Sequence, residues 1–177
     1  ALVARTLGEG NSRLASQRFT LIVCTAAVLS TVLALLLALF MTPVLGFLGA
    51  SPLLYEDCVR YLGVLLPFYP AAALMMVFNA FFIADGKPMQ GFLISLVSGV
   101  VNATLDYVFL AHMGWGVLGA GLATGIADLI AASTGLIYFT RYGRQLRFTR
   151  PRLELAALGK TITNGCSELV TETSVGI

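Results

Sequence analysis

An all-α, polytopic transmembrane helix bundle is the fold class this sequence predicts, and three observations carry the prediction. Hydrophobic residues make up 58% of the 177 residues and charged residues only 11%, where soluble domains carry about 25% charged residues. Mean hydropathy is +0.87, and the apolar stretches approach the ~20 residues a helix needs to cross hydrocarbon. Short clusters of glycine, proline and polar residues separate those stretches, which is the chemistry of turns.

In chain order, Ala1–Leu7 reads as the end of a helix, with Gly8-Glu9-Gly10-Asn11 as its turn. Ser12 is placed to cap the next helix, polar at first and apolar from Phe19 to Phe40, with Pro43 and Gly46 at its far end. Ser51 and Pro52 read as N-cap and first position of a helix over Leu53–Ala84. Pro67 and Pro70 lie inside it and predict a kink. Asp85-Gly86-Lys87-Pro88 is a tight turn, followed by a helix over Met89–Ala111. His112 to Gly116 forms an interfacial loop, Val117–Tyr138 a further span, and Arg141 to Arg152 a basic linker. A short amphipathic piece from Leu153 leads into a last span. The chain opens without methionine and stops within an apolar stretch, so the expectation is an internal piece of a longer membrane protein.

The basic residues are distributed unevenly. Segments 1–18, 85–88 and 141–160 hold ten of the eleven, and only Arg60 lies on the other side. The positive-inside rule places those three segments in the cytoplasm. Glu56 and Asp57 are spaced to pair with Arg60 on a solvated helix start. Nucleic acid is not an expected partner, because no basic patch is interleaved with aromatics. Cys24, Cys58 and Cys166 lack metal-type spacing and read as reduced thiols. Neither a phosphate-binding glycine loop nor GxSxG is present, and the single histidine, His112, has no matching ligands. No enzyme activity and no cofactor are expected, apart from a coupling ion. His112 and Trp115 read as an interfacial belt.

Two rows of small residues, Gly91/Ser95/Gly99 and Gly121/Gly125, suit close helix packing. Phe68, Met75, Met76, Phe78, Phe81 and Phe82 line a greasy pocket or, as is more usual, face lipid and other helices. The polar groups within the spans are more informative. Asn102 and Asp106 are one turn apart on one helical face. A carboxylate at membrane depth costs at least ~2.5–3.5 kcal/mol and requires a partner, a cavity or a proton. Two readings stand: an interhelical hydrogen bond that locks the bundle, or half of a site for a hard cation or a proton. Asn79, in the kinked helix, and Thr124, in the following span, supply further oxygens that would converge if these helices bundle. Asp128, one turn from Thr124, is a second candidate proton carrier or a paired residue. Glu168 and Glu172 form another i,i+4 acid pair, solvated if near the interface and candidate proton carriers if deeper.

Taken together, LGEGN, FNAFFIADGKP, VVNATLDYVF, WGVLGAGLAT and NGCSELVTETS resemble, in order and spacing, the multidrug and toxic compound extrusion (MATE) family. The resemblance implies two six-helix lobes facing each other across a cavity, twelve helices in all. This chain would run from the end of helix 2 to the start of helix 7, most of one lobe. Residues 1–140 would be N-lobe helices, 141–160 a cytoplasmic inter-lobe linker, and 161–177 the start of helix 7. The implied activity is antiport, drugs and organic cations leaving across the cytoplasmic membrane in exchange for Na⁺ or H⁺. In several members the N-lobe cation site uses residues that match Asn79, Asn102, Asp106 and Thr124, completed by an acid on helix 1. That helix, like the others missing from the full-length transporter, would be a partner of this chain, together with the small-molecule substrates and the lipid bilayer. Asp128 departs from the small or amide residue expected there, and some members use an acid on helix 7, where Glu168 and Glu172 fall. The alternatives are a flippase of related fold for lipid-linked oligosaccharide or polysaccharide, and a non-transporting structural membrane subunit.

Overall fold

A computed structural model describes residues 2–49, 51, 53–151, 159 and 163. Glu168, Glu172, Cys166 and the expected start of a further span lie outside the described residues. Among the described residues every regular element is helical. The elements are α1 (Leu2–Gly8), α2 (Ser12–Leu39), α3 (Met41–Phe47), α4 (Tyr55–Leu65), α5 (Tyr69–Ala84), α6 (Pro88–Asp106) and α7 (Gly116–Ile137). Four stretches are long and apolar enough to cross a membrane: Ser12–Leu39, Tyr55–Ala84, Pro88–His112 and Gly116–Tyr142. The protein is a multi-pass membrane bundle. Its outward faces are apolar, as lipid requires, with Leu35 60% and Val100 60% exposed.

Several boundaries differ from the sequence reading, each for a local reason. Asn11, not Ser12, caps α2, its Oδ1 accepting from the Leu14 N–H at 3.1 Å. The amide carbonyl takes up one of the donors orphaned at a helix start. Pro43 and Gly46 lie inside the separate short helix α3 rather than ending α2, which stops at Leu39. A proline in the first turn of a helix loses no hydrogen bond. The next helix begins at Tyr55 instead of Leu53, because the Ser51 carbonyl first accepts from the N–H groups of Leu54 and Tyr55, both at 3.0 Å. The kink at Pro67 and Pro70 takes the form of a 3-10 turn, Leu66–Phe68, between α4 and α5. α6 and α7 each finish in a wide π-type turn, Tyr107–His112 and Tyr138–Tyr142. His112 therefore closes a helical turn and does not open the loop.

Helix α7 is the axis of the bundle, packed against α4, α5 and α6, while α2 lies on α5 and α1 on α2. Glycines set its close approaches. A Cβ at Gly121 would meet Val64, at Gly125 the Phe68 ring, and at Gly135 the Phe78 ring. Van der Waals packing of this kind holds helices together where lipid removes the hydrophobic drive. At one end, Phe19, Phe78, Phe81, Phe82 and Phe139 form a buried aromatic core. Phe19 meets Phe81 edge-on at 4.8 Å and lies 4.8 Å from Phe139. Such pairs each contribute about 0.5–1.5 kcal/mol beyond burial. The phenylalanines of α5 thus belong to the core, whereas Met76 is 70% exposed.

Candidate functional site

The polar groups within the spans gather between α6 and α7. The Asn102 Nδ2 donates to Thr124 Oγ1 at 3.3 Å. One turn back along α6, Ser98 Oγ donates to the Ala127 carbonyl at 2.9 Å, within the buried interface. These bonds pin the two helices around a cavity of about 230 Å³. Its wall includes Asn102, Thr124, Asp128, Ser95, Ser98 and Met75. One carboxylate, one amide and three hydroxyls thus share a recess with Met75.

The expected residues distribute unevenly over this geometry. Asn102, Thr124 and Asp128 come together at the cavity. Asn79 does not reach them. Its amide pairs with Ser95, donating through Nδ2 at 3.0 Å and accepting from Ser95 Oγ at 3.2 Å. Ser95 also lines the cavity, so Asn79 stands behind that wall. Asp106 sits one turn beyond Asn102, at the last position of α6 before the wide turn, and is not part of the cavity lining. Its Oδ1 is buried with no hydrogen-bond partner among the described residues. A buried carboxylate oxygen with nothing donating to it is costly, and a cation or a proton relieves that cost.

Sequence reasoning missed Ser95 and Ser98 as polar participants. Ser95 was readable only as one member of a small-residue row, and Ser98 lies outside that row. The larger omission is Asp85, which reads locally as a turn residue. Gly86, at φ +74°, closes α5 by bonding its N–H to the Ile83 carbonyl at 3.1 Å, while the Lys87 N–H reaches Phe82 at 2.8 Å. That turn buries the Asp85 side chain completely, at 0% exposure. Its Oδ1 accepts from the N–H groups of Gln145 at 2.7 Å and Leu146 at 2.8 Å. Its Oδ2 accepts from Tyr138 Oη at 2.8 Å and the Arg144 N–H at 3.1 Å. The segment after α7 is thereby tied to the end of α5. It is also tied to α2, where Arg147 N donates to Ser16 Oγ at 3.3 Å and Thr149 N to Thr20 Oγ1 at 3.0 Å.

Comparison with known proteins decides what this bundle is. The MatE family model matches residues 1–108. The chain belongs to the MatE family. Two relatives agree with that membership, both multidrug export protein MepA. The one from Staphylococcus saprophyticus is 28% identical over 129 residues, covering 70% of this chain and 29% of the relative. The one from Staphylococcus haemolyticus is 29% identical over 124 residues, covering 70% of this chain and 27% of the relative. This MatE chain thus spans under a third of the length of these relatives. Among solved structures, an inward-facing multidrug resistance MATE family transporter of the MOP superfamily superposes with a TM-score of 0.82. It is 18% identical, over 89% of this chain and 36% of its own. The Vibrio cholerae MATE transporter VcmN in its bent form gives a TM-score of 0.78 at 23% identity, over 97% of this chain and 42% of its own. These two likenesses are of fold.

Proposed function

We propose that the chain forms part of a cation-coupled antiporter that exports drugs and organic cations across the cytoplasmic membrane. In this reading Na⁺ or H⁺ enters from outside and binds between Asp106 and the α6–α7 cavity one turn away. Asp106 takes up the ion or the proton through its unpartnered oxygen. Asn102 and Thr124 supply neutral oxygens, and Asp128 adds a second carboxylate to the cavity. Asn79 acts through Ser95, holding that hydroxyl in place. Oxygen donors of this kind suit hard cations. Segments 1–18, 85–88 and 141–160 face the cytoplasm. Occupancy biases the bundle between outward- and inward-facing packings, because a ligand shifts an equilibrium only by its differential affinity for the two states. The 3-10 break between α4 and α5 is the place where such a repacking meets least helical resistance.

The observation that supports this reading best is the recess itself. Asn102 and Thr124 are bonded across two helices beside the Asp128 carboxylate, with an orphaned carboxylate oxygen one turn away. The test is drug efflux driven by a Na⁺ or pH gradient in vesicles carrying the full-length protein, with and without Asp106→Asn. The expected result is loss of gradient-driven efflux in the variant. Unchanged coupling rejects the mechanism.

A further inference from the structure

A second cavity lies away from the α6–α7 recess, at the end of the bundle that we read as cytoplasmic. It has a volume of about 590 Å³ and is lined by Lys87, Gln90, Tyr142, Arg144 and Arg147 together with Tyr138 and Gly143. Three cations therefore face one space. Among the described residues none of them lies within ion-pair distance of a carboxylate; the pairs found there are Arg5–Glu9 and Arg60–Glu56. The nearest acid, Asp85, is fully enclosed, and all its hydrogen bonds come from Tyr138 and backbone N–H groups. It builds the cavity, and its single negative charge leaves the three cations in excess. By fixing the N–H groups of Arg144, Gln145 and Leu146, Asp85 sets the turn that carries Arg144 and Arg147 over the start of α6. Arg147 Nε donates to the Gly143 carbonyl at 2.8 Å, which orients its guanidinium and leaves the outer nitrogens to the cavity.

We infer that this cavity binds a phosphate group, and that its natural source is the phosphodiester of an anionic lipid headgroup. Two guanidinium groups and an ammonium match the charge and donor demand of phosphate. The position matches as well. The cavity sits where α5 ends, α6 begins and α7 finishes, at the level where a span meets headgroups. Tyr142, 68% exposed, lies at its rim as interfacial aromatics do. Basic pockets between helices on the cytoplasmic side hold anionic headgroups by this combination of charge and depth. Gln90 shares the wall, and its Oε1 is buried with no hydrogen-bond partner among the described residues. The site is separate from the proposed cation cavity and does not depend on it.

The experiment titrates the full-length protein in detergent with short-chain phosphatidylglycerol and, separately, phosphatidylcholine and inorganic phosphate, counting bound lipid by native mass spectrometry. The unaltered protein should retain phosphatidylglycerol over phosphatidylcholine. Lys87→Gln with Arg144→Gln should weaken that retention about tenfold or more. Arg13→Gln with Arg150→Gln removes the same charge from exposed positions outside the cavity and should leave retention intact. Competition by inorganic phosphate without lipid preference keeps the phosphate site and assigns it to a soluble anion. Equal losses in both double variants, or no preference for anionic phosphatidylglycerol over zwitterionic phosphatidylcholine together with no competition by inorganic phosphate, overturn the inference. Unfolding midpoints of both variants within a few degrees of the parent separate lost binding from lost structure.

Discussion

Asp85 and Asp106 are two aspartates with opposite surroundings. Asp85 has no exposed surface and accepts four hydrogen bonds, three from backbone N–H groups of one turn. Asp106 leaves Oδ1 buried with no partner among the described residues. The first carboxylate is satisfied by donors that arrive with the fold and stay with it. The second has to be completed by something that comes and goes. In a low-dielectric interior, saturation marks an acid that builds structure, and want of a partner marks one available for binding.

The contrast is breakable in order of expected effect. Asp85→Ala should cost about 3–5 kcal/mol, because it leaves three buried N–H groups and the Tyr138 hydroxyl without an acceptor. Thermal unfolding of the full-length protein in detergent measures this. A loss under about 1 kcal/mol would mean that water replaces the carboxylate and that Asp85 is no knot. Gly125→Leu comes next. Its side chain would collide with the Phe68 ring beside the α4–α5 break, and overpacking of this sort costs about 1–3 kcal/mol. An unchanged midpoint would show that the break is soft enough to yield. Ser95→Ala removes one interhelical pair with Asn79 and should cost about 0.6 kcal/mol, the usual yield of such bonds in a membrane. A much larger loss would move Asn79 from the supporting wall to the structural core. Smallest of all, Asp106→Asn should leave the unfolding midpoint unchanged or raise it, since it discharges a group that no donor compensates.

Much of the fold was legible because lipid imposes a simple rule: the backbone must satisfy itself, so spans are apolar helices punctuated by turns. The turn at Gly86 and the break at Pro67 and Pro70 follow from backbone chemistry local to those residues. The ends of α2 and α4 were less legible, because Asn11 and Ser12 are both good caps and only the Leu14 N–H chooses between them. The candidate cavity was partly legible. Asn102 and Thr124 stood out as polar groups in apolar spans, and their hydrogen bond joins residues on separate helices. The pairing of Asn79 with Ser95 was not legible, because a serine in a row of glycines reads as packing. Asp85 was hidden for a different reason. Its donors lie 53 to 61 residues further along the chain, beyond the reach of any local pattern.

The most direct test of the central claim is gradient-driven efflux by Asp106→Asn, scored per correctly folded molecule in vesicles and read beside its unfolding midpoint. The account predicts that the midpoint holds while coupling to the Na⁺ or pH gradient disappears. Coupled efflux at the parent rate, or a midpoint that falls as far as that of Asp85→Ala, would contradict it.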